Sequence, residues 1–404
     1  MAVAALALSA CSTDEAVETP QQPVTENQDP APETPESILL TPKPFDFWSL
    51  YPDERKIIAN VNQFGNRLAS YIYAYSPNFI CSPLSIEIAL MMTANGASDT
   101  GWAEVAQALN LDAVSLDELN SCYGKIMKGL TSGYDEGLQF SVANSVWVRE
   151  GLPIEPLFME NMQKVFNAES FNISTKEAMD DWASKKTNGL IDKMPLGGSL
   201  DELQLLLANA TYFNGQWQNK FDAEKTIPYT FHNYDGTTTE TKFMNNKSGL
   251  MSAWEEGYSM ITLPYKINSF QMVFFLPDEG YELADMLPTI DWFTPMENHE
   301  VYYAIPLFKE TSEFSATEFL KELGVNDLFH QTPGIAPGIT LSDVSQTATI
   351  EVNESGAKAA AISTSDWISS PTIPSLFLLD RPFAYAIVEQ NTQTVLFQGV
   401  VSKF

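Results

Sequence analysis

The stretch from Val352 to Ser363 (Val-Asn-Glu-Ser-Gly-Ala-Lys-Ala-Ala-Ala-Ile-Ser) makes two structural demands at once. Before it, Thr347-Ala348-Thr349-Ile350-Glu351-Val352 alternates small or polar residues with branched ones, as a strand does. After Gly356 come the alanines, then a Ser/Thr-rich tail from Thr364 to Pro374 with little side chain to bury, which predicts an exposed loop. Yet Ala, Ile, Ser and Thr can all sit on a pleated sheet. The segment thus reads both as an exposed loop and as a possible strand, and that ambiguity, loop now and strand later, is a clue to function.

Either reading needs a large core behind the segment. The 404 residues, 44% hydrophobic and 12% aromatic, are sufficient for one. We find no composition break beyond the N-terminal region, so residues 45–404 read as one domain. A net charge of −30 disfavours nucleic acid or an anionic membrane surface as partner. Three cysteines (Cys11, Cys81, Cys122) cannot make a disulfide framework, and Cys81, within Phe79-Ile80-Cys81, reads as a small buried hydrophobe.

Residues 1–10 are apolar and small, suited to the core of a signal peptide and too short to span a bilayer. They end in Leu8-Ser9-Ala10-Cys11, which resembles a bacterial lipobox with Cys11 as the acylated residue, although no Lys or Arg precedes the apolar run. Ser12-Thr13-Asp14-Glu15 resembles an acidic outer-surface sorting signal. Residues 11–44 are rich in Pro, Thr, Gln and Glu and read as a flexible tether. The expectation is an outer-membrane lipoprotein, surface-exposed, periplasmic or released, held by a lipid anchor.

Helical spacing of apolar residues predicts helices over Asp53–Tyr75, Thr100–Leu109, Leu116–Leu130 and Lys176–Asp192. The helix opening at Pro83 is apolar nearly all round and belongs in the core. Leu203–Phe213 is almost unbroken apolar sequence, the mark of a strand buried on both faces. Strand patterns recur at Leu138–Val148, Ile227–Phe231, Thr237–Phe243, Ser259–Leu263, Gln271–Leu276 and Val301–Phe308. A helix is expected at Ser315–Leu323, and a final hairpin at Phe383–Glu389 and Val395–Ser402. The class is α+β.

Several motifs together resemble the serpin family. Asn78-Phe79-Ile80-Cys81-Ser82-Pro83-Leu84-Ser85-Ile86 is similar to the strand feeding a Ser-Pro-x-Ser helix start. Leu207-Ala208-Asn209-Ala210-Thr211-Tyr212-Phe213-Asn214-Gly215-Gln216-Trp217, then Phe221, resembles the central strand and its upper tryptophan. Asp181-Trp182, Thr187-Asn188-Gly189 and Ile191 resemble the helix lying across the main sheet. Glu354 to Ser363 resembles the reactive-loop hinge, and Asp380-Arg381-Pro382-Phe383 the signature beyond it. The resemblance covers about residue 45 to Phe404, in family order and spacing.

It implies a metastable fold of three sheets and about nine helices, with an exposed reactive-centre loop that baits a protease. The cut loop then inserts as a strand in the main sheet and traps the acyl-enzyme. The protein would be a suicide-substrate inhibitor of serine endopeptidases, and of papain-like cysteine proteases as a further class, monomeric and without cofactor or metal. Hinge residues are Glu354, Gly356, Ala357, Lys358, Ala359, Ala360, Ala361 and Ser363. Strand alternation puts Ala357, Ala359, Ala361 and Ser363 on one uniformly small face and Lys358 on the other. Ser82, Ser85, Asn209, Trp217 and Gln346 fall in the region where the sheet opens. Gln346 stands where the family commonly has histidine, and an amide can still donate and accept there. The family usually has Thr or Ser at Ala357 and an acid at Lys358. Counting from Gly356 places the bait at Ser370, and counting back from Pro382-Phe383 places it one residue later. Pro371 makes Ser370-Pro371 a poor bond, so Ser369-Ser370 is favoured, with Trp367 and Ile368 as neighbours. Elastase-, subtilisin- or chymotrypsin-like targets suit these residues.

Two rivals remain. A hydrolase would need a base, and only His232, His299 and His330 are available, with no G-x-S-x-G or H-E-x-x-H motif. A non-inhibitory serpin-like binding or storage protein would tolerate bulk or charge on the inward hinge face, which Ala357 lacks.

Overall fold

The computed structural model describes residues 2–7, 50–131, 138–196, 198–356 and 375–404. The tether, Cys11, residues 357–374 and the bait positions Trp367 to Pro371 lie outside the described residues. Inside them the chain runs β1 (Ala2–Ala7), α1 (Pro52–Tyr73), β2 (Phe79–Cys81), α2 (Pro83–Ala94), α3 (Asp99–Ala108), α4 (Leu116–Thr131), β3 (Leu138–Val148), α5 (Pro156–Lys164), β4 (Glu169–Asn172), α6 (Lys176–Lys186) and β5 (Leu205–Gly215). The rest is β6 (Ile227–His232), β7 (Thr238–Glu255), β8 (Tyr258–Pro264), β9 (Phe270–Pro277), α7 (Leu283–Met286), β10 (Glu297–Pro306), β11 (Phe308–Ser315), α8 (Thr317–Glu322), β12 (Val344–Val352), β13 (Ser375–Leu378), β14 (Phe383–Glu389) and β15 (Thr394–Val401).

The main sheet has six strands in the order β11-β12-β1-β5-β3-β4. β5 pairs along its whole length with β3 and is buried at all but one position, as its apolar run requires. Strands β6, β10 and β13 join the first part of β7 in a second sheet. The end of β7 leads β8, β9, β14, β15 and β2 in a third. This mixed α+β architecture agrees with the expected class, with eight α-helices among the described residues.

Helix α2 is buried along its whole length, beginning at the Ser82 cap, and fills the space between the main and third sheets. Helix α6 lies on the opposite face of the main sheet. Its Met179, Trp182 and Ala183 pack on Trp147, Leu206, Ala208 and Ala210. Leu205, Leu207 and Phe213 of β5 join the large core on the α2 side, so β5 separates two apolar layers by residue parity.

Several elements differ from the sequence expectation. Helix α6 stops at Lys186 rather than Asp192, because Asn188 (φ 52°) and Gly189 (φ 78°) take left-handed backbone and the Thr187 hydroxyl donates back to the Ala183 carbonyl. The helix expected from Ser315 begins at Thr317, preceded by the strand β11. β7 continues well beyond Phe243, and α5, β4 and β13 were not anticipated. Residues 2–7, read as the core of a signal segment, form a strand of the main sheet antiparallel to both β5 and β12.

Candidate functional site

The hinge stands where β12 leaves the main sheet, and the far end of β5 holds it there. Gly356 bridges to Gln216 and to Asn353, so the chain turns back on itself directly after β12. The Trp217 amide donates to the Ser355 carbonyl at 3.3 Å and the Phe221 amide to the Glu354 carbonyl at 3.0 Å. Trp217 Nε1 donates to the Asn353 carbonyl at 2.8 Å, and Thr226 Oγ1 to Glu354 Oε1 at 2.9 Å. Trp217 is buried and stacks on Tyr265 at 4.7 Å with ring planes 12° apart. That stack fixes the indole, whose one N–H is then aimed at the hinge.

Gly356 is required at this turn. Its φ is 90°, and an added Cβ would stand 2.5 Å from the Gly215 carbonyl oxygen and 2.6 Å from the Trp217 amide nitrogen. Both obstacles are backbone of the strand that holds the hinge, and neither can swing aside.

Under the middle of the sheet lies a buried polar network. Gln346 of β12 accepts from the Ser82 amide at 2.8 Å through Oε1, and its Nε2 donates to the Ser82 carbonyl at 2.9 Å. One side chain thus satisfies both backbone groups of the residue capping α2, using donor and acceptor as expected of an amide. The Ser82 hydroxyl donates to the Leu396 carbonyl at 2.7 Å and accepts from the Ser85 amide at 3.3 Å. Ser85 Oγ donates to Asn209 Oδ1 at 2.6 Å, which also accepts from Thr211 Oγ1 at 2.9 Å. Asn209 Nδ2 donates to Asn144 Oδ1 at 2.8 Å, and Asn144 Nδ2 to the Phe166 carbonyl at 2.8 Å. All these polar side chains are buried. In such surroundings a half-made network is costly, so each member holds the others in place.

Ser82, Ser85, Asn209 and Gln346 are thus brought together as one cluster, while Trp217 belongs to the hinge at the sheet's end. Asn144 and Thr211 complete the cluster and were not singled out from the sequence. Asn144 sits in Val142-Ala143-Asn144-Ser145-Val146, where a lone amide within an apolar alternation is the available signal.

The three histidines do not make a catalytic centre. His299 Nδ1 lies 2.9 Å from Ser252 Oγ, with Glu297 3.9 Å from its other nitrogen, an arrangement that superficially resembles a charge-linked triad. Ser252, however, is 1% exposed, and its oxygen also accepts from Trp254 Nε1 at 3.2 Å. This is a cross-strand contact between β7 and β10 with no room for an acyl group. His330 meets only the Asn326 carbonyl through Nδ1, and His232 is exposed on β6. Among the described residues no group of three His, Cys, Asp or Glu side chains gathers at metal-binding spacing. Cys81 and Cys122 are buried free thiols, with burial pushing Cys122 up to about 12 and Cys81 higher still.

A six-stranded main sheet, a strand that ends in a docked hinge at Gly356, and a buried polar network beneath the sheet define the architecture. A family model described as serpin (serine protease inhibitor) matches residues 59–404, and the chain belongs to the serpin family. Serpin-Z10 of Arabidopsis thaliana is 31% identical over 380 residues, covering 86% of this chain and 97% of its own. Among solved structures, Arabidopsis AtSerpin1 in its native stressed conformation superposes with TM-score 0.76 at 29% identity, covering 88% of this chain and 99% of its own. Tengpin, a thermophilic serpin in its native state, gives TM-score 0.76 at 26% identity, covering 88% and 96%. These relatives come from plants and a thermophile, and none supports the lipoprotein reading of the N-terminus.

Proposed function

We propose that the protein inhibits serine endopeptidases as a suicide substrate, inserting its cleaved loop between β12 and β5. The observation that carries this is the register of Gly356. It pairs at once with Asn353 on the β12 side and Gln216 on the β5 side, so it already stands at the top of the insertion path. Carried forward, that register sets Ala357 against Val352 and Gly215, Ala359 against Ile350 and Phe213, and Ser363 against Gln346 and Asn209. Phe213 and Asn209 look toward α2, so Ala357, Ala359, Ala361 and Ser363 would enter the core side. Lys358 would fall on the opposite face, across from Glu351. The small-residue parity of the hinge thus matches the packed side of the sheet.

The bait bond Ser369-Ser370, with Trp367, Ile368 and Pro371 beside it, points to elastase-, subtilisin- or chymotrypsin-like targets, and to papain-like enzymes as a further class. Mixing the protein with pancreatic elastase, subtilisin and trypsin and running heated SDS gels tests this. An SDS-resistant band near the summed mass with elastase or subtilisin, absent with trypsin, is the expected result. Clean cleavage with no such band would favour a non-inhibitory binding role. A C-terminal fragment beginning outside Ile368–Thr372 would displace the bait assignment.

The export reading rests on Leu8-Ser9-Ala10-Cys11 and the acidic residues after it. Processing there would leave an acylated Cys11 on an outer-membrane, monomeric inhibitor and would remove β1. Intact-mass spectrometry of protein from the native membrane fraction tests it, since an unmodified chain that still begins at Met1 contradicts the reading.

A further inference from the structure

The main sheet contains a filled strand site. β1 lies between β5 and β12, antiparallel to both, with Ala2 opposite Thr211 and Ala348 and Leu6 opposite Leu207 and Val344. The hinge register meets this strand from above. Gly356 stands opposite Gln216 and Asn353, and Ala2 stands five residues further along both neighbours, opposite Thr211 and Ala348. Followed down β5 or down β12, the inserted loop would therefore bring Ala361 to the place held by Ala2. The two strand neighbours give the same offset independently. The segments also match in residue type where they first overlap, with Ala2-Val3-Ala4 against Ala361-Ile362-Ser363, small then β-branched then small.

We infer that in the unprocessed chain the segment Ala2–Ala7 is an internal competitor for the strand position that the cut loop would take between β5 and β12. The occupant and the inserting loop are mutually exclusive below Ala360, because each uses the same inward backbone groups of β5 and β12. The loop can enter by about four residues before it must displace β1. An unprocessed chain is thus a slower protease trap than one that has lost residues 1–10. This rests on the insertion mechanism for its consequence, but the strand site itself does not.

The test uses the full chain. Ala4→Pro removes an inward-directed amide from a central strand and is incompatible with pairing on both sides. Hydrogen exchange is read at 206–211 and 344–348, and trapping of elastase is followed on SDS gels. The expected result is exchange at those amides at least about tenfold faster than in the parent, with faster trapping. Unchanged exchange in the variant overturns the proposal. Faster exchange with no SDS-resistant complex in either protein keeps the strand site and overturns the inhibitor reading instead. Should Ala4→Pro fail to fold, the register partners Val3→Cys and Ala210→Cys provide a lock. Oxidation should protect the slot and stop trapping, and reductant should restore both. Equal exchange with and without reductant overturns the proposal.

Discussion

At the scale of single residues, the hinge is fixed by one backbone conformation and one face. Gly356→Ala must hold a Cβ at positive φ against the backbone of Gly215 and Trp217. The conformation alone costs about 1–2 kcal/mol, and the obstruction adds to it. We expect a lower Tm and loss of the Trp217–Ser355 and Phe221–Glu354 bonds, seen as faster exchange of the Trp217 and Phe221 amides. A variant with parent-like Tm and protection would mean the turn is not built as described. Ala357→Arg and Lys358→Glu test the facing. The first should turn the protein from inhibitor to substrate, because an unpaired charge would have to enter the core side, at a cost of several kcal/mol. The second should change trapping little, and equal impairment by the two would show the parity to be wrong. Glu87 offers a separate residue-scale check. It is buried on α2, one carboxylate oxygen has no partner, and burial pushes its pKa well above the ordinary carboxylate value. Its folded pKa exceeds its unfolded one, so its protonated form favours folding below about pH 4.5 and that contribution falls as pH rises toward the folded pKa. Tm of Glu87→Gln minus Tm of the parent should therefore grow between acid and neutral pH. A flat difference would mean that the carboxyl is hydrated.

At the scale of elements, the polar latch ties α2 to β12 through Gln346 and to β5 through Asn209, the two strands that flank β1. Gln346→Ala leaves the Ser82 amide without a partner in a buried place, at about 1–3 kcal/mol, while the Ser82 carbonyl keeps its bond from the Ile86 amide at 3.3 Å. We expect a Tm several degrees lower and a higher rate of loop insertion, measured as spontaneous loss of trapping activity on warm incubation. A variant that melts lower yet keeps its activity as long as the parent would separate stability from latching. Much of this element was legible beforehand: Ser82-Pro83 marked the helix start, and the almost unbroken apolar run of Leu203–Phe213 marked the central strand, observed as Leu205–Gly215. What was not legible has physical reasons. β4 is exposed at every position and carries no alternation to read. β11, an edge strand, is mostly Lys, Glu, Thr and Ser, the composition that keeps edges from pairing with other chains. α5 buries only Phe158 and Met162, too little for a periodic signal. Asn144 is a polar residue inside a strand pattern, and its role depends on Asn209, 65 residues away. Residues 2–7 are apolar without a decisive period, so their composition fits a signal segment as well as a strand.

At the scale of the whole molecule, the fold keeps a strand's worth of pairing in reserve. In the full chain β1 uses part of it, pairing six residues. A cleaved loop running from Ala357 toward Ser369 is roughly twice as long at the usual rise of about 3.3 Å per residue. It would also pair the positions above Ala2, and it enters through a tight turn from β12, whereas β1 must close a long tether to reach the same slot. Insertion should therefore win whenever the loop is cut, and the gain should depend on what it replaces. We expect elastase-nicked protein to melt well above the intact form in both the parent and Ala4→Pro. The rise should be larger in Ala4→Pro, whose intact slot is empty, and the two nicked forms should melt at nearly the same temperature because both then hold the same loop strand. Scanning calorimetry of the four samples decides the matter. No rise in either protein after a verified cut would rule out loop insertion, whereas equal rises would show that β1 contributes nothing to the intact sheet.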